Sequence, residues 1–351
     1  MHRREFLKKS GAAAVSVWAA GTAPAFLGAS DKSGARPAIV GTGEHTYLCE
    51  HNWGQLPDHL RWETTHGVAV DREGMVYVKQ QGHGGDNEPL DTIVVFDADG
   101  KFVRSFGKEY YPGGHGIDIR VDDGQEYLYL CDVANLQVLK TTLTGEVVWK
   151  RSHPTEPGVY GEGKRFVPTN LAFAPDGGLY VADGYGSHFI HQYDRDGKWV
   201  RTWGGTGTEI GKMDTPHGIW LDDRPGRDPS LVIADRANAR LQYFTLEGKH
   251  IGFVDDVLFP AHFDIRGDVL LVPDLHARVT LLDRDNNTIA HLGDDPEWLK
   301  EVKKFKARMT PETCPEGKFI HPHDACFDAA GNIFVTEWVH TGRISLLRRV
   351  V

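Results

Sequence analysis

The sequence predicts an all-β protein folded as a six-bladed β-propeller, in which each blade is a four-stranded antiparallel sheet. A short phrase that leads into an apolar strand returns six times along the chain, beginning at Thr65, Gly114, Pro168, Pro216, Pro260 and Pro322. The returns are about 44 to 62 residues apart, a spacing typical of propeller blades that carry loop insertions. Each return is followed by β-branched and aromatic runs that are separated by Asp/Gly turns, the pattern of strands and hairpins.

The third repeat contains the full strand pattern of a blade. After its phrase, apolar strands are predicted over Leu179–Ala182, Ile190–Tyr193 and Trp199–Trp203. The last repeat, from residue 322 onward, has room for only three strands. We therefore expect the segment Thr46–Cys49 to supply its fourth strand, which closes the ring and leaves no long edge exposed.

Residues 1–30 predict an export signal. Arg3 and Arg4 precede an Ala/Gly/Val-rich stretch and then the small-x-small pattern Ala23–Ala25. The paired arginines indicate a twin-arginine signal, with an ordinary secretory signal as the alternative, and hence a periplasmic or extracellular protein. Residues 31–351 then form a single propeller domain, with a helical insertion at about 295–319.

Composition excludes several classes of partner. The formal net charge of −10 argues against binding to nucleic acid, and the chain after its signal has no stretch that predicts membrane insertion. We expect a monomer. The four cysteines have no CxxC spacing and predict no disulfide framework; Cys131 and Cys326 are expected to be small buried residues.

Histidines at one position of the repeat predict a metal site. His115, His217 and His323 stand at the same place in the second, fourth and sixth repeats. Alternate blades of a six-bladed ring are about 120° apart, so these side chains converge on the axis. Three imidazoles with a fourth position left open are the ligand set of a catalytic zinc ion.

Other positions of the repeat have less definite predictions. His66 is in register on the first blade, and His262 is offset by one residue on the fifth; either could line the pore, extend the metal site or bind substrate. Thr169 replaces histidine on the third blade. His321 lies two residues before His323 and is predicted to be a poor ligand.

The residues described above are similar to those of a known protein family. The chain resembles NHL-repeat propellers, and among them the peptidyl-α-hydroxyglycine α-amidating lyase domain, a zinc enzyme that cleaves a carbinolamide to an amide and glyoxylate. The similarity is sharpest at Cys131–Lys140, Ala182–Tyr185, Trp203-Gly204, Pro216-His217, Ala234–Arg240 and Pro322–Asp324. The resemblance implies His115, His217 and His323 as zinc ligands, Tyr185 as a catalytic residue, Arg236 beside the site, and Asp324 as a ligand of a structural calcium ion.

The chain departs from that family in the first blade and in its cysteines. Gln81 stands where the family has a catalytic arginine, although Lys79 or His83 could supply a positive charge near the pore. The positions of the family's disulfide cysteines are occupied here by Gly186, Val232 and Tyr243. Two alternatives to a lyase acting on a small-molecule or peptide-like substrate in the pore stay open: a non-catalytic NHL-repeat binding scaffold, and a metal-dependent lactonase-like hydrolase.

Overall fold

The structure is a computed structural model that describes residues 38–85 and 87–350. Six antiparallel sheets follow one another along the chain, and this arrangement confirms the predicted six-bladed propeller. No helix within the described ranges is long and apolar enough to cross a membrane. The export signal predicted over residues 1–30 lies outside the described residues.

The strands are numbered in chain order. The first two are β1 (Ala38–Thr42) and β2 (His45–His51). The first blade contains β3 (Thr64–Val70), β4 (Val76–Gln81), β5 (Ile93–Phe96) and β6 (Phe102–Phe106). The second contains β7 (Gly114–Asp122), β8 (Gln125–Asp132), β9 (Gln137–Thr142) and β10 (Val147–Arg151). The third contains β11 (Asn170–Phe173), β12 (Leu179–Ala182), β13 (Phe189–Tyr193) and β14 (Trp199–Gly204).

The remaining blades repeat this order from the innermost strand outward. The fourth contains β15 (Pro216–Asp222), β16 (Ser230–Asp235), β17 (Arg240–Phe244) and β18 (His250–Val254). The fifth contains β19 (Asp264–Arg266), β20 (Val269–Asp274), β21 (Arg278–Leu282) and β22 (Thr288–Leu292). The sixth contains β23 (Pro322–Phe327), β24 (Ile333–Glu337) and β25 (Arg343–Arg349), and then β2 and β1.

The ring is closed by the N-terminal segment, as the sequence predicts. Strand β2 pairs antiparallel with β25, with Cys49 opposite Leu347. Strand β1 adds a fifth, outermost strand to this blade, which the repeat pattern does not predict. Because both ends of the described chain lie in one sheet, backbone hydrogen bonds hold the last blade to the first part of the chain.

Apolar side chains fill the interfaces between neighbouring blades. Each of the six interfaces contains one buried cluster. Leu281 packs with Val335 and Leu347 between the fifth and sixth blades, and Phe96 packs with Ile344 between the first and the sixth. Each such side chain contributes about 1.5–3 kcal/mol by its burial, so hydrophobic packing holds the ring together along its whole circumference.

A polar side chain at the end of the second strand, or directly after it, accepts a backbone hydrogen bond in each of the six blades. Asp183 accepts hydrogen bonds from the backbone N–H groups of Val167 and Ser187, both at 2.7 Å. Equivalent positions are occupied by Gln80, Asp132, Asp235, Asp274 and Glu337, and each of these side chains accepts a backbone N–H bond. Most of these bonds come from the segment before the innermost strand, and in the third blade the bond from Ser187 also fixes the loop that carries Tyr185.

The inserted segment contains one short α-helix, α1 (Pro296–Val302), and the one-turn 3₁₀ helices Ala307–Met309 and Pro311–Thr313. Asp295 caps it by accepting from the backbone N–H groups of Glu297 and Trp298, and Pro296 occupies the first turn, where its missing N–H costs nothing. Val302 packs in a cluster with Ala277, Ala307, Ile320 and Val339. The inserted segment therefore packs against the loops that follow the second strands of the fifth and sixth blades.

A buried ion pair joins this segment to the sixth blade, and we expect its loss to be costly. The Arg343 guanidinium donates to Glu337 at 2.5 and 2.9 Å and also to the Lys318 carbonyl. In the variant Glu337→Gln, Arg343 stays buried without its charge partner, so the free energy of unfolding should fall by about 3–5 kcal/mol. Urea unfolding at pH 7 measures this. The exposed pair Glu50–Arg348 is the control, since Glu50→Gln should cost less than about 1 kcal/mol.

The same pair predicts a pH dependence. Burial alone would raise the pKa of Glu337, but the neighbouring Arg343 charge lowers it below its ordinary value. A carboxyl whose folded-state pKa is depressed stabilises the fold above its unfolded pKa of about 4.3 and loses that contribution as pH falls. The difference in unfolding free energy between wild type and Glu337→Gln should therefore shrink on acidification. A difference that stays constant from pH 7 to pH 3 would contradict this role.

Candidate metal centre

Four histidines at the start of inner strands lie at β-bulges. The strand pairing shifts register at His66 of β3, at His115 of β7, at His217 of β15 and at His323 of β23. The inner strands of the third and fifth blades, β11 and β19, begin after the equivalent position, at Asn170 and Asp264. A bulge re-aims a side chain out of the regular alternation, and here it accompanies each imidazole at the axis.

The four imidazoles form one cluster. The ring centroids of His115, His217 and His323 are separated by 4.7 to 4.9 Å, so these rings form a nearly equilateral triangle. His66 joins them, with its ring centroid 4.4 Å from His323 and 5.2 Å from His115. One ring nitrogen from each of His66, His115 and His323 lies within 4.8 Å of the others. The cluster can thus offer three imidazole ligands to a metal ion.

The tautomer of the three predicted ligands follows from their hydrogen bonds. The Nδ1 atoms of His115, His217 and His323 lie 2.8, 2.7 and 2.8 Å from the carbonyl oxygens of Thr169, Ala261 and His66. Because a carbonyl only accepts, each Nδ1 carries the proton and donates it. Each neutral imidazole therefore has its lone pair on Nε2, which is the form of histidine that metals bind.

Each accepting carbonyl belongs to the next blade around the ring, and after His115 and His217 a glycine allows that blade to approach. A Cβ atom on Gly116 would lie 2.6 Å from the Thr169 carbonyl oxygen, and one on Gly218 would lie 2.5 Å from that of Ala261. Only glycine fits so close to a neighbouring backbone. The His-Gly pairs in the sequence are thus explained by the contact between blades.

Burial keeps the imidazoles of the site neutral, and some of their Nε2 atoms lack a hydrogen-bond donor in the described chain. Burial lowers the pKa of His115, His217 and His323 well below its ordinary value, and it lowers the pKa of His66 to about 3. The Nε2 atoms of His115 and His217 face each other at 3.2 Å, although both carry lone pairs. Nε2 of His323 is buried without a hydrogen-bond partner among the described residues. A cation bound at this cluster would satisfy such acceptors, so the residues present fit a metal ion.

Tyr185 and Arg236 lie beside these nitrogens. The Tyr185 hydroxyl oxygen is 3.2 Å from Nε2 of His115 and 3.0 Å from Nε2 of His217. Nη1 of Arg236 donates to the same hydroxyl at 3.4 Å, and the guanidinium lies 5.2 Å from the centre of the Tyr185 ring and 5.0 Å from that of Phe259. The site thus combines a protic hydroxyl and a fixed positive charge with a three-imidazole cluster.

The first-blade residues predicted to line the pore have different surroundings. Lys79 is fully buried, and its Nζ donates to the carbonyls of Cys131 and Gly116 at 2.8 and 3.3 Å; burial lowers its pKa to about 8. Gln81 is half-buried at the end of β4, opposite Thr64. The Lys79 ammonium group is therefore engaged by backbone between the first two blades.

His262 belongs to a second cavity. This cavity has a volume of about 190 Å³ and is lined by His262 together with Asp118, Asp264 and Asp324. Nε2 of His262 lies 3.5 Å from an Asp118 oxygen. Burial raises the pKa of Asp324 to about 8 and that of Asp264 to about 7. Burial alone would lower the pKa of His262, but the charges of Asp324 and Asp118 raise it.

His321 and the cysteines have structural surroundings. Nδ1 of His321 donates to the Leu275 carbonyl at 2.6 Å, and its ring stacks on Phe305. The four cysteines are unpaired within the described part of the chain, and Cys131 and Cys326 are buried.

Comparison of the sequence with known proteins identifies lyase relatives. The chain is 28% identical over 337 aligned residues to peptidyl-α-hydroxyglycine α-amidating lyase 1 of Drosophila melanogaster, covering 84% of this chain and 58% of the fly protein. It is 30% identical over 197 residues to peptidyl-glycine α-amidating monooxygenase A of Xenopus laevis, covering 54% of this chain and 20% of the frog protein. The chain thus spans little more than half of the first relative and a fifth of the second. No protein-family model matches.

Solved structures share the fold. A gluconolactonase from Xanthomonas campestris superposes with a TM-score of 0.56 at 14% identity, covering 89% of this chain and 95% of that one. A streptogramin B lyase superposes with a TM-score of 0.53 at 12% identity, covering 86% of this chain and 98% of that one. Identity this low establishes the architecture alone. The chain is a six-bladed propeller whose sequence similarity to amidating lyases supports a lyase-like protein with a candidate metal centre on its axis.

Proposed function

We propose that the protein is a zinc-dependent carbon–nitrogen lyase that cleaves a carbinolamide to an amide and a glyoxylate-type aldehyde. The observation that carries the proposal is the pair of facing Nε2 lone pairs of His115 and His217, 3.2 Å apart, with the Tyr185 hydroxyl within 3.2 Å of both. Three neutral imidazoles that leave a fourth position open are typical of catalytic zinc. The sequence similarity to amidating lyases supports the same reaction class.

The chemistry needs one proton to move as one bond breaks. When bound, zinc would lower the pKa of a substrate hydroxyl. The Tyr185 hydroxyl would relay the proton: it donates its own proton to the departing nitrogen as it accepts the one that the substrate hydroxyl releases, while the C–N bond breaks and a C=O bond forms. Arg236 supplies a permanent positive charge that can bind a substrate carboxylate or carbonyl oxygen through paired hydrogen bonds. The burial of these groups strengthens their electrostatic interactions.

A direct experiment combines metal analysis with an activity assay. Protein purified without added metal should contain about one zinc per chain and release glyoxylate from N-benzoyl-α-hydroxyglycine. A metal-free preparation that gains no activity from added Zn²⁺ would contradict the proposal and favour a non-catalytic scaffold. Hydrolysis of an aldonolactone without glyoxylate release would instead favour the lactonase-like alternative.

We also propose that the mature protein acts as a monomer in the periplasm or outside the cell on a small-molecule or peptide-like substrate. The arginine pair and apolar stretch of residues 1–30 support export, and the net charge of −10 argues against nucleic-acid partners. Fractionation of the native host and gel filtration of the purified chain test location and oligomeric state.

A second proposal concerns Asp324 and calcium. Asp324 is buried in the acidic cavity, where its carboxylate accepts backbone N–H bonds from Val68 at 3.0 Å and Ala325 at 2.8 Å. Carboxylates are preferred ligands of Ca²⁺, and a cation there would favour the ionised forms of Asp118 and Asp264, which burial otherwise disfavours. The donor set of the cavity therefore fits a structural calcium ion.

Calcium should accordingly stabilise the fold. At about 100 times its Kd, Ca²⁺ is expected to raise the free energy of unfolding by about 2.7 kcal/mol, because it binds the native state alone. Thermal unfolding with added Ca²⁺ and with a chelator measures the shift. Asp324→Asn should abolish it, whereas the exposed control Asp285→Asn should keep it. Equal melting temperatures with and without Ca²⁺ would rule out this role.

A further inference from the structure

An arginine of the inserted segment lies at the histidine end of the propeller. Arg308 belongs to a one-turn 3₁₀ helix, Ala307–Met309, and its guanidinium is 3.4 Å from the centre of the Trp338 ring. Trp338 directly follows β24, and its backbone N–H donates to the carbonyl of His321 at 2.8 Å. His321 is two residues from the predicted ligand His323. The insertion thus places a positive charge at the same end of the blades as the candidate metal centre.

The backbone of Arg308 is held firmly, while part of its guanidinium has no protein partner. Ala307 packs with Val302 and Val339, and the Arg308 carbonyl accepts from the backbone N–H of His340 at 2.9 Å. Nε of Arg308 is buried and lacks a hydrogen-bond partner among residues 38–85 and 87–350. A guanidinium stacked on an aromatic ring in this way is oriented before any ligand arrives.

Arg236, directly after β16 of the fourth blade, has the same features. Its guanidinium is stacked between Tyr185 and Phe259, and its Nε is also buried without a partner in the described chain. Neither Arg236 nor Arg308 forms an ion pair with a described carboxylate. The two guanidiniums therefore lack described carboxylate partners, although the chain has a net charge of −10. Arg236 follows β16, whose last residue pairs with Pro216 beside His217, and Arg308 stacks on Trp338, which follows the strand whose last residue pairs with Pro322 beside His323. Such a pair can bind an anion through charge-assisted hydrogen bonds.

We propose that Arg308 is a substrate-binding residue that, together with Arg236, holds the carboxylate of the substrate above the histidine centre. This role builds on the proposed lyase function, whose substrate has a carboxylate beside the reacting carbon. The side chains of Phe305 and Met309 flank Arg308 and are 46% and 53% exposed. The substrate class that fits both features is an N-acylated amino acid derivative with a free carboxylate and an apolar acyl group.

Binding of an unreactive carboxylate tests this assignment without requiring catalysis. N-benzoylglycine has the carboxylate and an apolar acyl group but no hydroxyl, and its methyl ester lacks the charge. Calorimetric titration of the purified protein, with its metal content measured, should give a Kd for N-benzoylglycine about 10- to 100-fold lower than for the ester. In Arg308→Ala this preference should be lost, while metal content and melting temperature stay unchanged.

Two further variants separate a specific contact from a change of net charge. Lys306→Ala removes an exposed positive charge two residues away and should bind N-benzoylglycine as wild type does. Arg308→Lys keeps the charge but not the paired donors and should recover part of the affinity. Unchanged affinity in Arg308→Ala, or no binding of N-benzoylglycine by wild type, would overturn the assignment.

Steady-state kinetics then distinguish this assignment from the lyase proposal. With N-benzoyl-α-hydroxyglycine, Arg308→Ala should raise KM about 10- to 100-fold and change kcat much less, because the lost contact is made in the bound substrate. Arg308-dependent binding of N-benzoylglycine without any glyoxylate release would refute the lyase and keep the anion site. If wild type releases glyoxylate and Arg308→Ala has the same KM as wild type, the anion site is refuted and the lyase proposal is kept.

Discussion

Replacement of His217 by alanine is expected to remove the zinc ion and to lower kcat/KM for glyoxylate release by about 1,000-fold or more. The neutral Nε2 of His217 faces that of His115 at 3.2 Å, and the two ring centroids are 4.8 Å apart. A bound metal contributes several kcal/mol of charge stabilisation in the transition state, which corresponds to a rate factor of about this size.

Zinc analysis of the variant and a rate measurement with added Zn²⁺ check this result. The matched control is His321→Ala, because that imidazole is also buried beside the site but stacks on Phe305 and donates to a backbone carbonyl. The control should keep its zinc. If His217→Ala retains a full equivalent of zinc, then His66, His115 and His323 hold the metal instead, and the predicted ligand set is wrong.

The variant Tyr185→Phe is expected to retain zinc and stability but to lose about 10²- to 10⁴-fold in kcat, the range for removal of a general acid–base group. The change deletes only the hydroxyl that lies 3.0 Å from Nε2 of His217 and 3.2 Å from that of His115. The ring that carries the Arg236 guanidinium stays in place, so substrate binding should change little.

Tyr160→Phe is the matched control for Tyr185→Phe. The Tyr160 hydroxyl, in the connection between the second and third blades, bonds Asp183 at 3.0 Å and His191 at 2.6 Å. Its loss should affect the melting temperature more than the rate. A kcat for Tyr185→Phe within about threefold of wild type would exclude proton transfer through this hydroxyl.

The repeat made the ring and its closure predictable, because one register recurs along the chain with a regular strand pattern. It also singled out the position at which His115, His217 and His323 meet, since equivalent residues of alternate blades point to one axis. The strand β1 has no counterpart in the repeat and so could not be predicted. The same holds for Arg308, which lies in an insertion that shares no register with any blade.

The features of the site that could not be predicted from the sequence depend on contacts between blades. His66 and His262 look alike in the sequence, yet the bulge in β3 places His66 among the other imidazoles and His262 lies with Asp118 in the acidic cavity. A shift of one residue between their positions changes which side of the ring wall each side chain faces. The carbonyl partners that fix the tautomers are also inaccessible to sequence reasoning, because any residue can offer a carbonyl.

Those carbonyl partners have a consequence for the order of events during biogenesis. His323 donates to the carbonyl of His66, so this bond joins the last blade to the first across the point of ring closure. A growing chain that has not yet produced residue 323 lacks one of the three predicted ligands and this bond between blades. We therefore expect a metal ion to bind only after the ring is complete, and a chain truncated before residue 323 should neither acquire nor retain it.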